Sequence, residues 1–373
     1  MKVLHLLDSI NRGGAEMLAL DVCRNARKHG IELTFVTTRG GVLEDDFRRS
    51  GVDFFRLNRR MPVDFNTVLK IRKIIKKRKI QVVHGHQAVE GLHLYLATVG
   101  LPVKRVLSFH SFIPDAKNRR TSQILIPQMD ANVVVSRGLQ NWLAERDELD
   151  TEKNFQVLYN GVDAERLQPT GRLLRKELNL SDDVLLCGMI GNFYRDPRKD
   201  QITVCRALPK VFSHLKNVHC IFAGRAEEGA EDKLQACMDF CEENGIIDRV
   251  HFLGPRSDVP DVLEALDLFV FSSLQEGLPI AVNEAMLAGV PMIVSDIEPL
   301  LEATDDGNYA EVFHTQDALE LSEKMLKLLK DENGRADLAR RAFEYARETF
   351  SIEAHLERLK TLYEGLLAAD ARR

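Results

Sequence analysis

Short apolar runs alternate with stretches of helical periodicity along the whole chain. Residues 3–7, 32–37, 52–55, 81–84, 105–109 and 131–135 read as strands. Between them, 15–29 reads as an amphipathic helix ended at Gly30, 41–50 as a short helix, and 66–79 as a helix with Val68, Ile71, Ile74 and Ile75 at helical spacing. The pattern pauses at Asn160-Gly161-Val162-Asp163 and in the polar stretch holding Pro169 and Gly171. It then restarts, with strands expected at 184–190, 218–223, 249–253, 268–271 and 290–294, and helices running to about 215, at 233–243 and at 259–265. Alternation of this kind predicts parallel, doubly wound sheets. The expected architecture is α/β, with two Rossmann-like domains facing across a cleft. Their boundaries fall at 1–165 and 166–350, and a terminal helix in 351–373 packs toward the N-terminal domain to bury its apolar face.

One stretch stands out, LQEGLPIAVNEAMLAGVPMIVSD at 274–296. Glu276 lies in a turn-like segment with Gly277, Leu278 and Pro279. Glu284 follows in a short helix, expected in its first turn, and a buried strand comes next. In an open parallel sheet, ligand chemistry gathers beyond the carboxyl ends of the strands, which is where both acids fall. A carboxylate accepts paired hydrogen bonds from the vicinal hydroxyls of a sugar or a ribose. A second constellation, Gly191-Asn192-Phe193-Tyr194-Arg195-Asp196-Pro197-Arg198-Lys199, follows a strand and opens a helix. Fixed cations there suit a leaving group that gains negative charge. A third, Asn11-Arg12-Gly13-Gly14, precedes a helix whose N–H groups attract phosphate. Neither half carries GxGxxG, which weighs against a dinucleotide enzyme.

Composition changes this picture little, and charge changes it more. The net charge of −5 divides into +9 over residues 1–160 and −14 over 161–373. The basic half favours an anionic partner. Its densest run, Lys70 to Lys79 (KIRKIIKKRK), reads either as a helix lying on anionic lipid or as a solvated surface helix packing its isoleucines. Membrane contact through residues 66–79 is therefore one expected partner surface, and nucleic acid is not expected. The six cysteines form no CxxC and read as reduced core thiols. No apolar run approaches the roughly 20 residues of a membrane span. The start of the chain does not read as a signal peptide, so a cytoplasmic location is expected, at the inner face of the cell membrane.

The acidic stretch resembles the E-x7-E signature of the family 4 glycosyltransferases, of the retaining GT-B type. The resemblance extends through Gly13-Gly14-Ala15-Glu16, Val82-Val83-His84-Gly85-His86, Ser108-Phe109-His110, Asn160-Gly161-Val162-Asp163, Gly191-Asn192-Phe193 with Arg195 and Lys199, and Phe252-Leu253-Gly254. It implies transfer of a sugar from a UDP- or GDP-sugar to a hydroxyl acceptor, in surface polysaccharide or glycolipid biosynthesis. By the family pattern Glu284 holds the donor's ribose, and Glu276 with the backbone of Gly277, Leu278, Pro279 and Ile280 faces the donor sugar. Gly13 and Gly14 close over the diphosphate. Asn192 stands where many members carry arginine, so the cationic role passes to Arg195, with Arg198 as the alternative, beside Lys199. Gly254 and Arg256 flank the base. His110 sits near the donor sugar, and His84 and His86 are candidates for acceptor contacts. The HxH spacing lacks a third ligand, and D-x-D occurs nowhere, so no metal and no cofactor is expected. The rival readings are a nucleotide-sugar epimerase or phosphorylase on the same fold, and a non-catalytic scaffold.

Overall fold

The computed structural model describes residues 1–370 and divides into two compact units. The first comprises residues 1–162 together with the terminal stretch from Thr349; the second comprises 163–348.

In the first unit, seven strands form one sheet. They are β1 (Lys2–Leu7), β2 (Glu32–Thr37), β3 (Asp53–Arg56), β4 (Val82–His86), β5 (Lys104–Phe109), β6 (Ala131–Val134) and β7 (Phe155–Val157). All pair in parallel, in the order β3-β2-β1-β4-β5-β6-β7. The edge strand β7 carries too short an apolar run to be read from the sequence. Connecting helices bury one face each. In the helix Phe65–Arg78, Val68, Ile71 and Ile75 pack with Leu4, Leu6, Val36 and Val83 in one apolar cluster, against which Ile74 also packs. Asp64 caps that helix by accepting from the N–H groups of Asn66 and Thr67. The isoleucines of the basic run therefore belong to the core. What stays outside is Met61, Phe65 and Leu69, each more than half exposed, next to a row of lysines.

The helix expected at 15–29 is two pieces, Gly14–Asn25 and a tighter turn Ala26–His29, ended by Gly30 at φ 76°. The last helix, Ile352–Asp370, packs in this first unit. It is tied at its start by the Val162 N–H donating to the Phe350 carbonyl and the Ile352 N–H donating to the Val162 carbonyl, both 2.9 Å. Further along, Glu357 meets His29 at 2.7 Å.

The second unit repeats the plan with six parallel strands: β8 (Leu185–Ile190), β9 (Val218–Ala223), β10 (Val250–Gly254), β11 (Leu268–Phe271), β12 (Met292–Ser295) and β13 (Glu311–Phe313). Their order is β10-β9-β8-β11-β12-β13. Both sheets thus reverse direction once, between β1 and β4 and between β8 and β11. At such a reversal two neighbouring loops diverge and leave a crevice at the strands' carboxyl ends. All six cysteines are buried and free.

Candidate active site

The reversal in the second unit is where the two richest sequence stretches meet. The loop after β8 and the loop after β11 are stitched together along their length. The Leu274 N–H donates to the Arg198 carbonyl at 2.7 Å, the Ser273 hydroxyl donates to the same carbonyl at 2.5 Å, and the Asp200 N–H donates to the Ser272 carbonyl at 3.1 Å. Lys199 and Ser273 form an isolated antiparallel bridge. Gly224, after β9, packs so closely under this loop that a Cβ there would lie 2.2 Å from the Gly191 carbonyl oxygen.

That stitching sets Lys199 against Glu276. Their side chains form an ion pair, 9% and 11% exposed. Ser273 Oγ lies 2.6 Å from the same Glu276 oxygen, so its one proton is shared between that oxygen and the Arg198 carbonyl, and the ammonium lies 4.1 Å from the centre of the Phe271 ring. Burial pulls the Lys199 ammonium below its ordinary pKa, and the Glu276 charge opposes this. The result is a dry cation whose charge is only partly answered by one carboxylate. Anionic ligands are drawn to such a group far more strongly than in water.

The neighbouring arginines differ. Arg198 lies over the Tyr194 ring and is locked onto Asp196 by two hydrogen bonds of 2.7 and 2.6 Å, and the Asp196 carboxylate holds its pKa up. Arg195 is exposed, and among the described residues it makes no ion pair. Of the two alternatives, Arg195 is the one with a guanidinium to offer. Asn192 uses its side-chain oxygen to accept from the Arg225 N–H at 3.1 Å, and so shapes the loop.

Glu284 lies in the second turn of the helix Ile280–Leu287, not the first, because the helix begins only after Pro279. It is buried and pinned by Arg166 at 2.7 Å. Arg166 went unnoticed in the sequence, since nothing local marks it; it sits in a short 3-10 turn, Ala164–Leu167, far along the chain from its partner. The backbone at Gly277, Leu278 and Ile280 lies in the same loop and helix start. Gly254 closes β10 with φ at 63°, a left-handed conformation that favours glycine. Arg256 is spent on two carboxylates, Glu177 at 2.7 and 3.0 Å and Asp258 at 2.9 and 2.6 Å. Its guanidinium edges are thus structural, and only its flat face is left to a ligand.

In the first unit, Gly13 precedes the helix Gly14–Asn25 in an extended conformation. A Cβ there would lie 2.6 Å from a Glu16 carboxylate oxygen, a contact that a turn of the flexible Glu16 side chain relieves. Gly14 opens the helix. His110 emerges after β5 with Nε2 2.7 Å from His86 Nδ1. The expectation of acceptor contacts by His84 and His86 needs correcting. Both are buried inside the sheet's central strand, with both ring nitrogens of each engaged by neighbouring side chains. Alternation along β4 does put them on one face, stacked at 4.7 Å, but that face is interior.

Comparison with known proteins agrees with this geometry. Residues 185–331 match the profile described as glycosyl transferases group 1, and residues 12–166 match that of glycosyltransferase family 4. The N-acetyl-alpha-D-glucosaminyl L-malate synthase of Bacillus anthracis is 24% identical over 96% of this chain and 95% of its own length. The Escherichia coli UDP-Gal:alpha-D-GlcNAc-diphosphoundecaprenol alpha-1,3-galactosyltransferase is 24% identical over 68% of each chain. Among solved structures, Anabaena HepE in complex with UDP and glucose superposes with a TM-score of 0.84 at 20% identity, covering 98% of this chain and 99% of that one. No helix among the described residues is long and apolar enough to cross a membrane. The chain belongs to the family 4 glycosyltransferases and is an enzyme of glycosyl transfer, built on the GT-B fold.

Proposed function

We propose that this enzyme transfers a sugar, with retention of anomeric configuration, from a UDP-sugar to a hydroxyl of a lipid-linked or growing polysaccharide acceptor at an anionic membrane surface. The observation that carries the donor half is the buried Lys199–Glu276 pair beside the unpaired Arg195 at the sheet reversal. As the bond from sugar to diphosphate breaks, charge grows on the departing oxygen. Lys199 and Arg195 stabilise that charge more than they stabilise the intact donor, and this difference is what accelerates the step. Glu276, already bonded to Lys199, keeps a second oxygen for a sugar hydroxyl and orients the lysine. Glu284, fixed by Arg166, accepts from the ribose hydroxyls. Gly13, Gly14 and His110 keep the roles the family pattern gives them, at the diphosphate and the donor sugar. The described residues offer no obvious nucleophile for a double displacement, so a front-face route is proposed, in which the departing phosphate takes the acceptor's proton. UDP is favoured as the nucleotide because the E. coli relative is named for UDP-Gal and HepE binds UDP.

The acceptor half rests on the patch of Met61, Phe65 and Leu69 beside Lys70, Lys73, Lys76 and Lys77. Apolar side chains that enter the headgroup region, flanked by lysines, are what an anionic bilayer surface retains. The direct test is a screen of nucleotide sugars for donor hydrolysis, paired with calorimetric titration of UDP and GDP. Binding of UDP that is lost in Glu284→Ala supports the reading, and absence of binding by either nucleotide would overturn it.

A further inference from the structure

One feature of the first unit belongs to none of these roles. The HxH of β4 lacks a third ligand in the sequence, but the sheet supplies one. Strands β1 and β4 are parallel neighbours, and His5 stands directly across from His84. His5, His84 and His86 then form a triangle of imidazoles, with ring centres 4.7, 5.1 and 4.7 Å apart. One ring nitrogen from each lies within 4.8 Å of the other two. All three residues are at most 6% exposed. They border a cavity of about 20 Å³, room for a single ion or water. His110, His355, Ser108 and Asn160 complete its polar lining.

We propose that His5, His84 and His86 bind one divalent transition-metal cation of the zinc type inside the first unit.

The surroundings support this in two ways. First, each imidazole has one nitrogen turned to an outer partner: His5 Nε2 to the Tyr363 hydroxyl at 2.9 Å, His84 Nε2 to the Ser108 hydroxyl at 2.6 Å, and His86 Nδ1 to His110 Nε2 at 2.7 Å. With those nitrogens donating outward, the other three carry the lone pairs, which is how outer groups orient metal-bound histidines. His5 Nδ1 and His86 Nε2 already face each other at 3.2 Å, close to the separation of two ligands on one tetrahedral ion of roughly 2.0–2.1 Å bond length. His84 Nδ1, 2.6 Å from the Tyr363 hydroxyl, is released by a small shift of that phenol. Second, a further histidine holds acceptor capacity at the same cavity. His355 donates Nδ1–H to the Tyr159 carbonyl at 2.7 Å, which leaves Nε2 with its lone pair.

This donor set suits Zn2+, Co2+, Ni2+ or Cu2+ and does not suit Mg2+ or Ca2+, which take oxygen. His355 Nε2, whose lone pair is uncommitted on the same lining, would supply the fourth position. The cations and carboxylates named above for the donor lie in the second unit, while this site adjoins His110, which the family pattern places at the donor sugar. A metal here would staple β1 to β4 and, through Tyr363, hold the terminal helix Ile352–Asp370 against them.

The test uses the untagged full-length chain, stripped with a chelator and desalted, then titrated with Co2+ at pH 7.5. One equivalent should bind with the intense visible absorption of tetrahedral cobalt, be displaced by Zn2+, and raise the melting temperature of the first unit. Ser108→Ala, which alters only an outer partner, should weaken Zn2+ binding about ten- to hundredfold. His84→Gln should abolish it, and His314→Gln, a surface histidine of the second unit, should leave it intact. Should His84→Gln fail to fold, the wild-type cobalt spectrum and the Ser108→Ala affinity decide alone. Substoichiometric uptake, an octahedral cobalt spectrum, or affinity indifferent to Ser108→Ala would overturn the proposal.

Discussion

Replacing Lys199 by methionine separates the two things its ion pair does. The change keeps the length of the side chain and its contact with Phe271 but removes the charge. Glu276 is then left 11% exposed, answered only by the Ser273 hydroxyl at 2.6 Å. Stranding one member of a buried pair costs about 3–5 kcal/mol. The surviving hydrogen bond and the residual hydration of Glu276 place this case at the lower end, about 3 kcal/mol. For a unit of this size each kcal/mol moves the melting temperature by roughly 2–4 °C. Lys199→Met should therefore lower the melting temperature of the second unit by about 6–12 °C in calorimetry. Donor turnover should fall about 10²–10³-fold, the scale for losing one preorganised group at a developing charge. The double variant Lys199→Met/Glu276→Gln removes both charges, and its stability should return to within about 1 kcal/mol of the parent while its turnover stays low. Two results would refute the reasoning: a single variant with unchanged melting temperature and turnover, or a double variant that regains activity along with stability.

Four further outcomes are expected. Arg195→Ala should weaken UDP binding about ten- to hundredfold in calorimetric titration, as expected for hydrogen bonds to a charged group, whereas Arg198→Ala, whose guanidinium is bound to Asp196, should change it little; the reverse order would exchange their roles. Glu90 is buried in the helix Ala88–Thr98, and burial followed by the charge of Asp8 raises its carboxyl to about 8. Folding thus binds a proton there, so this group's contribution is fully present below the unfolded pKa and is lost as pH rises through about 8; Glu90→Gln should match the parent near pH 4.5 and exceed it by a margin that widens up to about pH 8, read by chemical denaturation, and a constant difference would sink the assignment. Gly224→Ala places a methyl 2.2 Å from the Gly191 carbonyl; it should cost about 1–3 kcal/mol and weaken UDP binding by moving the loop that carries Lys199. Phe65→Glu with Met61→Glu should release the enzyme from anionic vesicles without altering turnover on a soluble acceptor, and retention on the vesicles would move the membrane contact elsewhere.

The two glutamates and the basic loop were legible in the sequence because each lies in a short contiguous segment after a strand. Strands that read as unbroken apolar runs, such as β11 and β12, announce a parallel sheet, and a parallel sheet puts functional loops at its carboxyl edge. The same local logic placed Ile71 and Ile75 on one helix face. It did not tell whether that face met lipid or core. The helix settles this by packing on β1 and β4, so that the exposed apolar residues are Met61, Phe65 and Leu69 instead.

The sequence by itself determined which residues could do chemistry and at which strand ends they stand, since period and turn residues are local properties of the chain. Only the tertiary structure decided their partners. Arg166 on Glu284 and the meeting of His5 and Tyr363 from 358 positions apart both depend on the order in which strands and helices pack. That order is set by the burial of whole elements against one another. For this reason His84 and His86, which look like strand-end residues awaiting an acceptor, lie in the interior with a third histidine beside them.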